Sequence, residues 1–239
     1  MSTDELKSLW KTVFGDPDSF IDAFFAIAYS PDRCRYVEEN GQAVSALYWF
    51  DCEYEGGKLA YIYAVATHPD HRGKGLASRL LEETHAHLKA LGYAGAVLKP
   101  AKGLFPFYER LGYQTCGYVH RFHAKAGDSI PLQELDTEAF ARRRREFLPP
   151  NSVIQEGAAL EFLMTYAKAY DTGNALVCLY PDEQIILEFL GDSTAAAGIL
   201  GALKIPEAHF ITTGNKLPYV MHFPLNCTKT PGYLGITLE

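Results

Sequence analysis

The sequence predicts a mixed α/β protein in two modules, and three observations carry that prediction. Residues 60–91 read as an apolar strand, a glycine-rich turn and an amphipathic helix. Two glycine turns, Asn40-Gly41 and Gly56-Gly57, separate runs rich in β-branched and aromatic residues, the pattern of antiparallel hairpins. A short apolar run, Ala94–Leu98, follows the helix, so strand, helix and strand form a parallel unit with a right-handed crossover.

The elements follow in order. Residues 3–13 and 17–28 read as two short helices with Trp10, Val13 and Phe14 on one face of the first, and Phe20, Phe24 and Ile27 on one face of the second. Gly15-Asp16-Pro17 separates them, with Pro17 suited to a first turn. Strands are expected at 35–38, 43–54 and 59–67. With Glu55–Lys58 as a four-residue turn, Tyr54 would face Leu59, Tyr48 would face Val65 and Ala46 would face Thr67. That register puts Asp51 and Glu53 at the turn end, away from the glycine loop. Pro69 ends the strand because it has no N–H to give. Leu76, Leu80, Leu81, Leu88 and Leu91 then recur at helical spacing.

The helix therefore opens inside the loop Arg72-Gly73-Lys74-Gly75-Leu76-Ala77-Ser78. Its first N–H groups lack intrahelical acceptors, and with the helix dipole they form an anion site, most naturally for phosphate. A P-loop is excluded, because His68 stands where its first glycine belongs. A dinucleotide fingerprint is weak, because Ser78 replaces its third glycine. The string Arg-x-x-Gly-x-Ala at 72–77 resembles the pyrophosphate loop of the GNAT superfamily of acyl-CoA-dependent N-acetyltransferases. Phe107-Tyr108-Glu109-Arg110-Leu111-Gly112-Tyr113 is similar to a second mark of that family, and the resemblance spans roughly residues 1–125.

That resemblance implies a GNAT acyl-CoA N-acyltransferase fold with acetyl-CoA as cosubstrate and no metal. It implies that residues 73–78 give N–H groups to the pyrophosphate, with charge added by Arg72 and Lys74. The splayed strand around Val65, Ala66 and Thr67 would meet the pantetheine arm and the oxyanion. Tyr108 stands where the family commonly has a tyrosine that protonates the leaving thiolate. The helical pair 3–28 would border the acceptor groove. No carboxylate is forced into the site by spacing, so water, His68, His71 or the terminal carboxylate of Glu239 are open as bases. His85 and His87 lie two apart on a helix and face different ways, which argues against a metal site.

Composition bounds the rest. The chain has 239 residues, 48% of them hydrophobic, enough for one large or two small cored domains. No run of about 18 apolar residues is present, and the first residues are acidic and polar. Five scattered cysteines (Cys34, Cys52, Cys116, Cys178, Cys227) form no Cys-x-x-Cys pair, which points to a reducing, cytoplasmic setting. A formal charge of −7 argues against general nucleic-acid binding.

The first domain is expected at 1–126 and the second at 127–239. Arg142–Arg145 wraps around a helix and reads as solvated; 156–170 reads as a further helix. Strands at 175–180 and 185–190, a helix at 194–203 and short strands at 209–212, 220–223 and 234–238 repeat the order of the first half. Asp192 stands where the loop should bind phosphate, so this half reads as a degenerate GNAT-like domain, without its own CoA, that covers the acceptor groove. The functions in view are acetyl transfer to a small-molecule or peptide amine and, alternatively, non-catalytic acyl-CoA binding or sensing. Neither involves nucleic acid or a membrane.

Overall fold

The structure, a computed structural model, describes residues 1–238. The chain divides into two compact units: residues 1–114 with 221–230, and 115–220 with 231 onward. The strand Gln114–Lys125, placed with the first half by sequence, thus lies in the second unit from Thr115, where it pairs antiparallel with Glu207–Thr213.

In the first unit, helix α1 (Thr3–Phe14) begins at Ser2, whose hydroxyl accepts the Glu5 N–H, and ends at Gly15 in the left-handed region (φ +77°). Helix α2 (Asp18–Ala23) runs into a π-helical turn, Phe24–Ala28, closed by the Tyr29 N–H on the Phe24 carbonyl at 2.9 Å. Strands β1 (Cys34–Glu39), β2 (Gln42–Tyr54) and β3 (Gly57–Thr67) form an antiparallel meander. The β1–β2 turn has both central residues at positive φ, Asn40 at 53° and Gly41 at 82°, the twist a two-residue hairpin needs. Helix α3 (Leu76–Ala90) crosses over to β4 (Gly95–Leu98), which lies parallel to β3. The short helix α4 (Phe105–Arg110) follows.

The β2–β3 register differs from the expected one. Tyr54 faces Gly57 and Tyr48 faces Tyr63. Only Glu55 and Gly56 form the turn, so the pairing moves by two residues. A bulge between Ala46 and Tyr48 then shifts it back by one, and Ala46 faces Ala66. Asp51 still sits at the turn end, opposite Ala60, where it takes the Tyr93 hydroxyl and lies 3.1 Å from Lys58.

Alternation along β2 and β3 gives the sheet two buried faces. Leu47, Trp49, Ala60 and Ile62 pack with Leu80, Leu81 and Leu88 of α3. Tyr48 and Tyr63 meet Trp10 of α1 and Phe24 of the π turn. The outer edge of β4 is not open. Residues 221–224 return from the far end of the sequence and pair with it antiparallel, Met221 to Leu98 and Pro224 to Gly95.

In the second unit, 115–125 pairs with Glu207–Thr213, which runs parallel to Ile185–Gly191. Ala175–Tyr180, Lys168–Asp171 and Gln133–Leu135 continue the sheet antiparallel. Helix Ala196–Leu203 packs Ile199 and Leu200 against Val177, Phe189 and Phe210. The helix expected over 156–170 covers only Ala158–Met164, because Lys168–Asp171 finds strand partners on both edges. Residues 234–238 form no strand, although Leu234, Ile236 and Leu238 are buried as expected.

The arginine run is not a wholly solvated surface. Arg144 is 2% exposed and makes a two-pronged ion pair with Glu188, Nε to Oε2 at 2.6 Å and Nη2 to Oε1 at 2.9 Å. Arg143 reaches Asp171 and Arg145 reaches Glu156. Three of the four side chains are therefore drawn to separate carboxylates, because the run winds around the helix Thr137–Phe147.

Candidate active site

The site forms where β3 leaves its parallel neighbour. Leu59, Ala60 and Tyr61 pair with Gly95, Ala96 and Val97, and β4 ends at Leu98. From Ile62 to Thr67, β3 has no β4 partner among the described residues, so one edge of its backbone is open. Within this stretch Ala64 has φ +47°, a left-handed conformation that L-residues adopt at a cost. It lies opposite the point where the β2–β3 ladder shifts register. The kink re-aims the backbone that follows, Val65, Ala66 and Thr67. Val65 packs toward the α3 core.

A buried serine, unnoticed in the sequence, secures the far side of this kink. The Ser45 hydroxyl donates to the Ala66 carbonyl at 2.8 Å and lies 3.0 Å from the Thr67 hydroxyl. Ser45 is completely buried. The Thr67 carbonyl in turn accepts Arg72 Nε at 3.2 Å, so this arginine is folded toward the strand end.

The loop then turns through a short 3₁₀ segment, Pro69–His71. Gly73 and Gly75 have φ of +77° and +74°. A Cβ built on either meets nothing within 4 Å, so their requirement is conformational and the space before them is open. Helix α3 starts at Leu76 without a side-chain cap and without an acidic residue in its first turn. The N–H groups of Leu76, Ala77 and Ser78 precede the first intrahelical bond, Arg79 N–H to the Gly75 carbonyl at 3.0 Å, so the uncapped helix start leaves donors for an anion beside Gly73, Lys74 and Gly75. Lys74 Nζ lies 3.4 Å from His71 Nδ1, and that nitrogen lies 3.3 Å from Glu39 Oε2. His68 Nδ1 accepts the Asp70 N–H at 3.3 Å.

Tyr108, on α4, is 6% exposed. Its ring lies edge-on to Phe107 and Tyr113, with centroids 5.0 and 5.5 Å away. Burial pushes its phenol up to about 12. Tyr113 sits 2.7 Å from His85 Nε2, and the imidazole stacks on Phe223 at 4.0 Å. Burial lowers His85 to about 4, so the ring is neutral at pH 7. His87 faces Trp49 instead, so the two histidines of α3 have separate surroundings. The Glu239 carboxylate lies outside the described residues.

A mixed sheet whose parallel strands part beside a glycine loop and an uncapped helix is the arrangement of the GNAT fold. Residues 2–116 match the family model described as an acetyltransferase (GNAT) domain, so this segment of the chain is a GNAT domain. In fold the chain is similar to a GCN5-related N-acetyltransferase from Kribbella flavida, with TM-score 0.69 and 18% identity over 95% of this chain and 71% of that one. It is similar to another from Anabaena variabilis, at TM-score 0.66 and 15% identity over 93% and 70%. Eis1 from Mycobacterium abscessus gives TM-score 0.68 and 10% identity over 94% and 71%. At these identities the likeness is one of fold. No curated protein matches the chain.

Proposed function

We propose that this chain moves an acetyl group from acetyl-CoA to a primary amine of a small molecule or peptide, by direct attack in a ternary complex. The observation that supports this most is the pairing of two features on one strand. Beyond Tyr61 the edge of β3 is open, and the same strand ends in the uncapped glycine loop. A thioester lying along the open edge would have its pyrophosphate at the helix N-terminus.

In this reading, residues 73–78 bind the pyrophosphate through backbone N–H groups, and Arg72 and Lys74 add positive charge. The backbone at Val65, Ala66 and Thr67 holds the pantetheine arm and donates to the oxyanion. The amine nitrogen attacks the thioester carbon; the N–C bond forms and the C–S bond breaks. Tyr108 gives its proton to the departing thiolate and regains one from solvent. Water takes the amine proton, since His68 spends the lone pair of Nδ1 on the Asp70 N–H and His71 is engaged with Glu39 and Lys74. The second unit binds no CoA of its own, because the Asp192 carboxylate already accepts the Thr194 N–H at 2.9 Å where an anion would sit.

One observation favours the alternative of binding without transfer: Tyr108 is buried, and its phenol is a weaker acid than usual. Calorimetric titration with acetyl-CoA, followed by thiol release with an amine panel, separates the two. Micromolar binding with amine-dependent thiol release establishes the enzyme, binding alone establishes the sensor, and no binding to the folded chain defeats both.

A further inference from the structure

Tyr108, the proposed acid, sits on a helix too short to hold it still. α4 has six residues, and a helix under about 12 residues is marginal without tertiary support. The phenol therefore takes its aim from what α4 packs against. One neighbour grips it twice. The Tyr113 N–H donates to the Tyr108 carbonyl at 3.1 Å, and the Tyr113 ring stands edge-on to the Tyr108 ring, with 74° between their planes.

Tyr113 is held in turn by two side chains. Its hydroxyl shares a hydrogen bond of 2.7 Å with His85 on α3. Phe223 packs on both rings, 4.0 Å from His85 with planes 13° apart and 5.4 Å from Tyr113. The Phe223 ring also lies against the backbone between α4 and Tyr113, since a Cβ on Gly112 would come within 3.0 Å of it. His85 and Tyr113 are buried, and Phe223 is partly buried. An apolar side chain at position 85 would satisfy packing beside Leu81 and Leu88. A histidine bonded to Tyr113 and stacked flat on a phenylalanine fixes a direction as well. The phenylalanine arrives from the far end of the chain, placed opposite Ala96 by the pairing of residues 221–224 with β4.

We propose that Phe223 is a positioning residue for Tyr108: through its contacts with His85, Tyr113 and Gly112 it fixes the angle at which α4 presents the phenol to the departing thiolate. The inference rests on the acetyl-transfer reading above. Phe223 takes no part in the bond changes. Its ring keeps the Tyr113 ring from tilting, and the Tyr113 ring keeps the Tyr108 ring from tilting. A misplacement of about 1 Å in a reacting group costs about 100-fold in rate, so a small tilt at the end of this chain of contacts is enough to be measured.

The test measures acetyl-CoA affinity, and thiol release with an amine panel, for the parent, Phe223→Leu, Tyr108→Phe and the double variant. Phe223→Leu keeps apolar bulk and removes the flat ring. We expect its kcat to fall about tenfold or more, with KM and the calorimetric Kd for acetyl-CoA within about twofold of the parent. Adding Phe223→Leu to Tyr108→Phe should lower kcat no further, because Phe223 acts only through the phenol. Phe223→Tyr, which keeps the ring, should retain the parent kcat. Phe223→Met repeats the comparison if the leucine variant does not fold. Fluorine NMR of chains labelled with 3-fluorotyrosine gives a readout free of turnover. The signal lost in Tyr108→Phe should move or broaden in Phe223→Leu, while that of the exposed Tyr36 stays in place. Unchanged kcat in Phe223→Leu, a further loss in the double variant, or an unmoved Tyr108 signal overturns the positioning role and leaves the acetyl-transfer reading standing. No thiol release by the folded parent with any amine overturns both.

Discussion

Arg144 and Glu188 form a fork-to-fork ion pair inside the second unit, with both side chains 2% exposed. The Tyr233 hydroxyl donates to Glu188 Oε1 at 3.1 Å, and a Cβ on Gly235 would lie 1.9 Å from that oxygen. Removing one charge leaves the other buried and uncompensated, at a cost of about 3–5 kcal/mol. Glu188→Gln should therefore lower the urea midpoint sharply, and Arg144→Met with Glu188→Leu should recover most of the loss. A single variant as stable as the parent would show that the pair is not desolvated.

Two buried histidines set an acid limit. Burial lowers His85 and His222 to about 4, against 6.5 for a free imidazole. The unfolded chain takes up these protons first as pH falls, so the stability each neutral ring contributes is full above 6.5 and is lost between 6.5 and 4. The difference amounts to at most about 3 kcal/mol for each site. Denaturation midpoints measured from pH 7.5 to 4.5 should fall steadily, and His85→Gln should flatten part of that slope.

At Gly75 conformation and charge can be separated. Alanine there must hold φ +74°, a strain of about 1–2 kcal/mol, so Gly75→Ala should weaken acetyl-CoA roughly tenfold by calorimetry. Gly75→Glu adds a negative charge at the helix N-terminus and should abolish measurable binding. Equal, mild effects from both would place the pyrophosphate elsewhere.

Tyr108→Phe removes the proposed acid without altering the ring packing on Phe107 and Tyr113. General acid catalysis contributes about 100-fold or more. Steady-state kinetics should show kcat falling by that order with little change in KM for acetyl-CoA. Because burial holds the phenol near 12, Tyr108 should add no alkaline limb to the parent pH–rate profile below that value.

The parts of the fold that were legible in the sequence are those fixed by neighbours in the chain. Asn40-Gly41 specifies its own turn, and Gly73, Gly75 and the leucines after them specify loop and helix together. The β2–β3 register was two residues off because Glu55–Lys58 reads equally well as a turn of four or of two. Other features depend on partners far away in the sequence. Ser45 reads as a polar interruption in a strand until Ala66 and Thr67 are seen beside it. Arg144 is one of four identical letters, and only the strand carrying Glu188 distinguishes it. The pairing of 221–224 with β4 has no local mark at all, since nothing near Met221 reports on Leu98.

That last pairing has a consequence for synthesis. The strand that covers β4 is encoded after nearly all of the second unit, so on the ribosome β4 waits for residues 221–224 while some hundred intervening residues emerge. A nascent chain halted near residue 130 would hold the whole glycine loop and Tyr108, yet would expose a bare strand edge at Gly95–Leu98 to any neighbouring polypeptide. Maturation of the acetyl-transfer unit is thereby coupled to completion of translation through the second unit.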